Sequence, residues 1–583
     1  MNRTPNARST RVGAALVAAA LTAAGLGATT AGAIAPAQAS GPHDVVLPER
    51  MRGEAAIQAL GSELPEVAAR NGMPADELRR RLRADDALWL DPAGALLFVD
   101  DALAEPAGTQ EPVTGVDPVL GSFSTADAFT LHSRPGAARV VHLDFDGHST
   151  PGGAWKGTPG TPYDLDGQPG SFSDTERRVI IDVWRHVAED FAPLAIDVTT
   201  EDPGIDAIRR TDTGDASYGT RVVVTPTRTD CASCGGVAYV GTYDITGGSA
   251  TTGWTHDHYQ PAWVYIAGSN AKHIAEAASH EAGHNLGLSH DGVTGGSAYY
   301  EGHGDWAPIM GVGYYRAITQ WSRGEYAGAN NTEDDFAVMA ANGGVAAGDD
   351  HGHSTPTPLG GPAVDVSGVL GHQDVDAFHF TAAVAGTVDL AVAPAPVGAD
   401  ADLRLRIVDG AGATVALADP AGLAASLQLT VAAGTYTVLV EAAGAGDPRT
   451  TGYSSYGSLG RYRLTGSIPA GDAEPPTPAP GTPVVAASVS GGTVSLSWAD
   501  VAGESAYEVY RETRQKNGSY AKRTLVRTLA ADVTATTDAP GSGTFRYQVV
   551  ATGPGGSSPS TFAVVTVSGS SGSTKPGKPA NTR

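Results

Sequence analysis

Two cysteines in 583 residues are too few for a disulfide-built framework, and they stand close together as Cys231 and Cys234 in TDCASCGGVAYVG. A small disulfide closing that loop is the expected state in an oxidising compartment. A zinc half-site would need a second ligand pair, which the neighbourhood lacks, and a redox motif would need a thioredoxin-like setting. Positive charge is also scarce: 38 Lys and Arg face 63 Asp and Glu, a net charge of −25. That balance argues against nucleic acid and against an anionic membrane as partners. No run of four or more like charges marks an interaction tail. Away from the N-terminus no apolar stretch approaches 18 residues, so no membrane span is expected. Charged residues make up only 17%, while Gly (75) and Pro (38) are plentiful, which suggests several β-rich units joined by loops. The length suits three or four domains.

The first 39 residues read as a signal peptide. Arg3, Arg8 and Arg11 form a positive region, GAALVAAALTAAGLGA an apolar core, and Ala37-Gln38-Ala39 a small-residue processing site before Ser40. A membrane anchor is disfavoured because the apolar run is short and alanine-rich. No cysteine follows it for lipid attachment. The expected location is extracellular, by secretion.

The most telling stretch is HEAGHNLGLSHD, residues 280–291. On a helix, His280 and His284 stand one turn apart on one face and can converge on one metal ion. Gly287 can take the left-handed conformation that ends a helix, letting the chain turn back and bring His290 to the same ion. Three neutral imidazoles leave a fourth zinc position open for water, as in catalytic rather than structural sites. Glu281 is the natural base for that water.

HExxHxxGxxH resembles the metzincin clan of zinc metalloproteases, and Asp291 directly after the third histidine is most similar to the reprolysin (adamalysin-like) branch. The resemblance covers roughly residues 138–345. It implies one catalytic zinc held by His280, His284 and His290, with Glu281 catalytic, and a methionine turn beneath the metal. Met310, one of only five methionines, sits in WAPIMGVGYY and fits that turn. Some relatives place a zinc-binding tyrosine two residues later, where this chain has Val312. Tyr314 and Tyr315 are candidate pocket residues, and His303 is a loop histidine or a rim residue.

The implied chain is multidomain: an α+β metzincin-like catalytic domain followed by two all-β sandwiches. Residues 40–135 read as a propeptide, with a helical stretch, a strand pair around the turn in DPAGALLFVDD, and a processing linker up to Ser133. It has no cysteine, so latency cannot come from a thiolate. Asp91 and Asp100 are candidates for a carboxylate offered to the metal, with turn and surface roles the default reading. The protease domain spans 136–346. Strands are expected at RVVHLDFDGH, LAIDVTTED, RVVVTPT and PAWVYIAG, a capped helix at 173–191, and the ligand helix from about Lys272 to Leu286.

Residues 360–468 resemble the bacterial pre-peptidase C-terminal domain, a β-sandwich. Within it Asp374 and Asp376 are candidate calcium ligands, against a default of turn aspartates. A Pro-rich linker (472–483) follows. Residues 484–568 resemble a fibronectin type III domain with Trp498, Tyr510 and Tyr547 as core aromatics, and 569–583 form a tail. The expected activity is hydrolysis of protein or peptide substrates by a secreted zinc metalloendopeptidase made as a proenzyme. The C-terminal domains are candidates for contact with matrix or cell-surface polymer. Two alternatives stay open: a non-catalytic extracellular binding protein with a vestigial metal site, and a zinc amidase acting on a non-peptide substrate. The protease domain is expected to stand alone, so that a chain ending near Gly348 would still cleave small peptides.

Overall fold

A computed structural model describes residues 47–102, 120–469 and 479–568, apart from 151, 156, 158, 229–230, 232, 248–254, 267 and 517. The expected signal peptide, the tail and most of the Pro-rich linker lie outside the described residues. Among the described residues no helix is long and apolar enough to cross a membrane.

The N-terminal segment contributes β1 (Met51–Arg52), helices α1 (Gly53–Leu60), α2 (Leu64–Arg70) and α3 (Ala75–Ala84), then β2 (Leu88–Leu90) and β3 (Leu96–Asp101). The next part supplies β4 (Arg139–Asp144), α4 (Asp174–Asp190), β5 (Ile196–Thr199), α5 (Ile205–Ile208), β6 (Tyr218–Val224), β7 (Cys234–Tyr239), β8 (Ala262–Val264), α6 (Ala271–Asn285), β9 (Trp306–Pro308), β10 (Ile318–Gln320) and α7 (Asp335–Ala341). Eight of these strands form one sheet in the order β1-β2-β3-β7-β8-β6-β4-β5. Strands β4, β5, β6 and β8 run parallel, and β7, β3, β2 and β1 add on antiparallel. The parallel strands are buried along most of their length and carry apolar stretches such as Val140-Val141 in β4 and Val222-Val223-Val224 in β6.

Helix α4 starts on a reciprocal cap. Ser173 Oγ accepts from the Glu176 amide, and Glu176 Oε2 accepts from the Ser173 amide at 2.6 Å. Helix α6 is capped by Asn270, whose side chain accepts from the His273 amide at 3.1 Å. Its Ala275, Ala278 and Ala282 are buried in the same core as Trp184 and Val187 of α4, and their small side chains allow the two helices to pack closely.

Of the expected processing linker up to Ser133, residues 103–119 lie outside the described residues, and the part from 120 onward is corrected here. Ala128 and Leu131 lie in the main core, Phe123 meets Trp184 edge-on at 5.1 Å, and Ser133 pairs through its main and side chains with Val198. Apolar residues spaced too irregularly for a helix or strand still bury when a loop is pinned by such bonds. Residues 120–135 therefore pack as part of the same unit as β4 and α4.

The strands from Thr357–Pro358 to Gly460–Ser467 form a five-stranded and a four-stranded sheet around a shared apolar core. The strands from Val485–Ser490 to Ala563–Val567 form a further pair of sheets, with Trp498, Tyr507 and Tyr547 in the core. Tyr510, expected inside, is only half-buried. Alternation along its strand turns Tyr507 and Val509 inward instead.

The first sandwich is not free of the unit before it. Arg461 inserts against α4, pairing with Glu189 at 3.3 Å while its amide donates to the same carboxylate at 2.7 Å; both side chains are buried. Tyr456 and Leu459 belong to the main core, and the Tyr456 hydroxyl accepts from the Phe336 amide. Gln320 donates to the Asp400 carbonyl at 2.6 Å. The expectation that the preceding unit stands alone is thus at odds with the packing.

Candidate metal centre

The side chains of His280, Glu281 and His284 project from α6, which ends as Leu288 N–H returns to the Gly283 carbonyl and Gly287 adopts φ +96°. The chain then doubles back, so the rings of His280, His284 and His290 lie 4.7 to 5.2 Å apart, centroid to centroid. Each Nδ1 is held from behind at 2.7 to 2.8 Å: His280 by the Ile309 carbonyl, His284 by the Leu288 carbonyl and His290 by the Asp85 carboxylate. With Nδ1 donating, each Nε2 presents a lone pair inward.

A fourth group completes the set. Asp100 Oδ2 lies 3.3 Å from His280 Nε2 and 3.5 Å from His284 Nε2, and Oδ1 lies 3.1 Å from His290 Nε2. One ligand atom from each of the four residues falls within 4.8 Å of the others. All three Nε2 atoms, Asp100 Oδ2 and Glu281 Oε2 are buried without a hydrogen bond of normal geometry. Buried polar atoms are rarely left so, because each loses water without a replacement. Three imidazole nitrogens and a carboxylate oxygen are a donor set that suits zinc, and a divalent cation at their centre would satisfy them.

The carboxylate comes from β3, in the segment read as a propeptide. Of the two aspartates weighed there, Asp91 is a turn residue, accepting from the Ala93 and Ala95 amides. For Asp100 the default of a surface role is corrected: it is buried, and Tyr299 donates to its Oδ1 at 2.9 Å. Burial opposes its charge, but the His290 ring and the other two imidazoles beside it hold its carboxyl well below the usual range. Phe98, two residues earlier on the same face of β3, stacks on His284 at 4.2 Å.

Glu281 is buried beside this group. Burial, and then the Asp100 charge, push its carboxyl well above the usual carboxylate range. Gly236 of β7 makes its position possible, because a Cβ there would lie 1.6 Å from Glu281 Oε1. Gly236→Ala is expected to displace the carboxylate and lower turnover on the order of 10²-fold with metal content unchanged. Steady-state rates beside metal analysis of the purified variant check this, and normal turnover would show that Glu281 does not act from this position.

Met310 is fully buried beneath the ligand helix. Its carbonyl accepts from the Asp291 amide at 2.8 Å, and a Cβ on Gly283 would lie 2.7 Å from its sulfur. Tyr314 packs edge-on against His273 at 4.0 Å, while Tyr315 is 49% exposed. The tyrosine that contacts the four-residue cluster is Tyr299. Its ring lies 4.4 Å from that of His290. His303 Nε2 donates to the Gly452 carbonyl of the following sandwich, and its Nδ1 accepts from the Tyr300 hydroxyl; it is not one of the four clustered residues. Cys231 and Cys234 are disulfide-bonded at the entry to β7. Asp374 and Asp376 come together with Asp349, with Asp376 bound to the Tyr462 hydroxyl, in a carboxylate group far along the chain from the histidines. Asp85, Gly236 and Tyr299 were not singled out in the sequence.

No curated protein sequence matches the chain. Among solved structures, a pre-peptidase C-terminal domain of a Bacillus anthracis collagenase is similar at 18% identity and TM-score 0.15, over 18% of this chain and 90% of that one. A Fn3-like protein from Clostridium thermocellum is similar at 28% identity and TM-score 0.13, over 15% of this chain and 91% of that one. The chain spans only 27% of the length of the pectate lyase PelI from Erwinia chrysanthemi (20% identity, TM-score 0.12, 14% of this chain). Residues 202–291 match the sequence profile described as Metallo-peptidase family M12B Reprolysin-like, a stretch that includes β6, β7, β8 and α6 with all three histidines and Glu281, and this match supports a zinc metalloprotease.

Proposed function

We propose that the chain is a secreted zinc endopeptidase of the metzincin type, made as a proenzyme. The observation that carries this reading is the convergence of three Nε2 lone pairs beside a buried glutamate that is not itself in the cluster. His280, His284 and His290 would hold the ion, with Met310 packed below. When bound, zinc supplies Lewis-acid polarisation of a peptide carbonyl and of water. Glu281 takes the proton from the attacking water and passes it to the leaving amine. The backbone of β7, which now pairs with β3, is placed to hold an extended peptide across the site. The carbonyls of Ile309 and Leu288 keep two of the imidazoles in the tautomer that faces inward.

The test uses the processed protein, freed of its N-terminal segment. Casein cleavage is expected to stop on chelation and to return with added zinc. Full activity after verified removal of all metal would overturn the reading.

A further inference from the structure

We propose that Asp100 is the fourth metal ligand that keeps the unprocessed protein latent, carried by a strand that fills the place of substrate on β7. This rests on the zinc-peptidase reading and adds the regulation of its site.

Several independent contacts converge on it. Strand β3 pairs with β7 over Leu97↔Tyr239, Phe98↔Ala238, Val99↔Val237 and Asp100↔Gly236. The residue opposite Asp100 is therefore the glycine that lies under Glu281. An extended peptide laid along this edge crosses the histidine cluster at one point, and the chain has a carboxylate there rather than a peptide carbonyl. Its position is fixed from several sides. Tyr299 donates to Asp100 Oδ1, Phe98 stacks on His284, and Asp85 holds His290 Nδ1. Arg81 donates to Ser289 Oγ at 2.8 Å, next to the third histidine. The N-terminal segment thus grips His290 from behind and caps the cluster from the front. A surface aspartate needs none of this. The three Nε2 atoms lie 3.1 to 3.5 Å from this carboxylate.

The experiment compares full-length chains, unprocessed, with cobalt(II) in place of zinc. Glu281→Gln is included in every spectroscopic sample to prevent self-cleavage. Asp100→Asn, nearly isosteric, is expected to change the visible cobalt absorption, whereas Asp91→Asn leaves it unchanged. With Glu281 restored, Asp100→Asn is expected to raise cleavage of a short peptide by the uncut chain on the order of 10²-fold, as when a 99:1 closed population is lost. Tyr299→Phe, which removes one anchor and keeps the ring, should give a smaller rise. Circular dichroism confirms that each variant is folded. Folded Asp100→Asn with an unchanged cobalt spectrum and unchanged latency would overturn the proposal while leaving the peptidase reading intact. Failure of the processed parent to bind metal or to cleave peptide would instead overturn that reading.

Discussion

Glu281→Gln in the processed protein is expected to keep its full complement of zinc and to lose turnover by about 10²- to 10⁴-fold, the range a positioned general base supplies. The amide has nearly the same shape, so it can occupy the space that Gly236 leaves open. It cannot accept a proton from water or deliver one to a leaving amine. The metal should stay because all three imidazoles remain, and His280 and His284 are oriented by the carbonyls of Ile309 and Leu288, neither of which belongs to residue 281 or to the N-terminal segment. His284→Ala should lose both metal and activity, since it removes one of the three nitrogen donors. Metal analysis beside peptide hydrolysis separates the two outcomes. A Glu281→Gln protein with near-normal turnover would leave the fold as described and remove the base from the mechanism.

The second large effect concerns the boundary after α7. A chain ending at residue 348 is expected to be insoluble or largely unfolded, although it retains every residue of the histidine cluster. Removing Arg461 leaves the Glu189 charge buried without its partner, a change that typically costs about 3–5 kcal/mol. Losing Tyr456 and Leu459 from the main core adds roughly 2–5 kcal/mol for each large side chain. A typical domain has only about 5–15 kcal/mol in total. A chain ending at 469 keeps these contacts and drops only the last sandwich, whose apolar core draws on residues 485–567 alone. That chain should melt at the temperature of the full protein and retain its peptidase rate. Thermal melting of the two truncations distinguishes them, and a soluble 348-residue chain with an unchanged melting temperature would show that the interdomain contacts carry little stability.

What the sequence revealed and what it hid divide along physical lines. His280, His284 and His290 follow from local rules: helical spacing, then a glycine where the helix must stop. Strands β4 and β6 and the cap of α4 are local in the same sense. Asp85, Asp100 and Tyr299 meet the histidines across large separations in sequence, and no periodicity links them. One signal was there for Asp100. It lies in phase with Phe98 on a strand, so it shares that residue's buried face, whereas Asp91 stands at a turn. Gly236 offered a second, because a glycine inside a strand often marks a close approach of another group. The Arg461–Glu189 pair offered none. Each residue is unremarkable in its own stretch, and only the packing of a sandwich edge on α4 explains why both are buried.

Strand β7 has a neighbour on each side only while β3 is present. On the proenzyme reading, loss of the N-terminal segment would leave one row of the β7 amides and carbonyls to water, directly beside Glu281. A folded protein has its own strands already paired and cannot easily offer one to that row. Loop tips, termini and chains that have lost their structure can. On the peptidase reading, the open sheet margin would sort substrates by whether they are folded before any side chain is read.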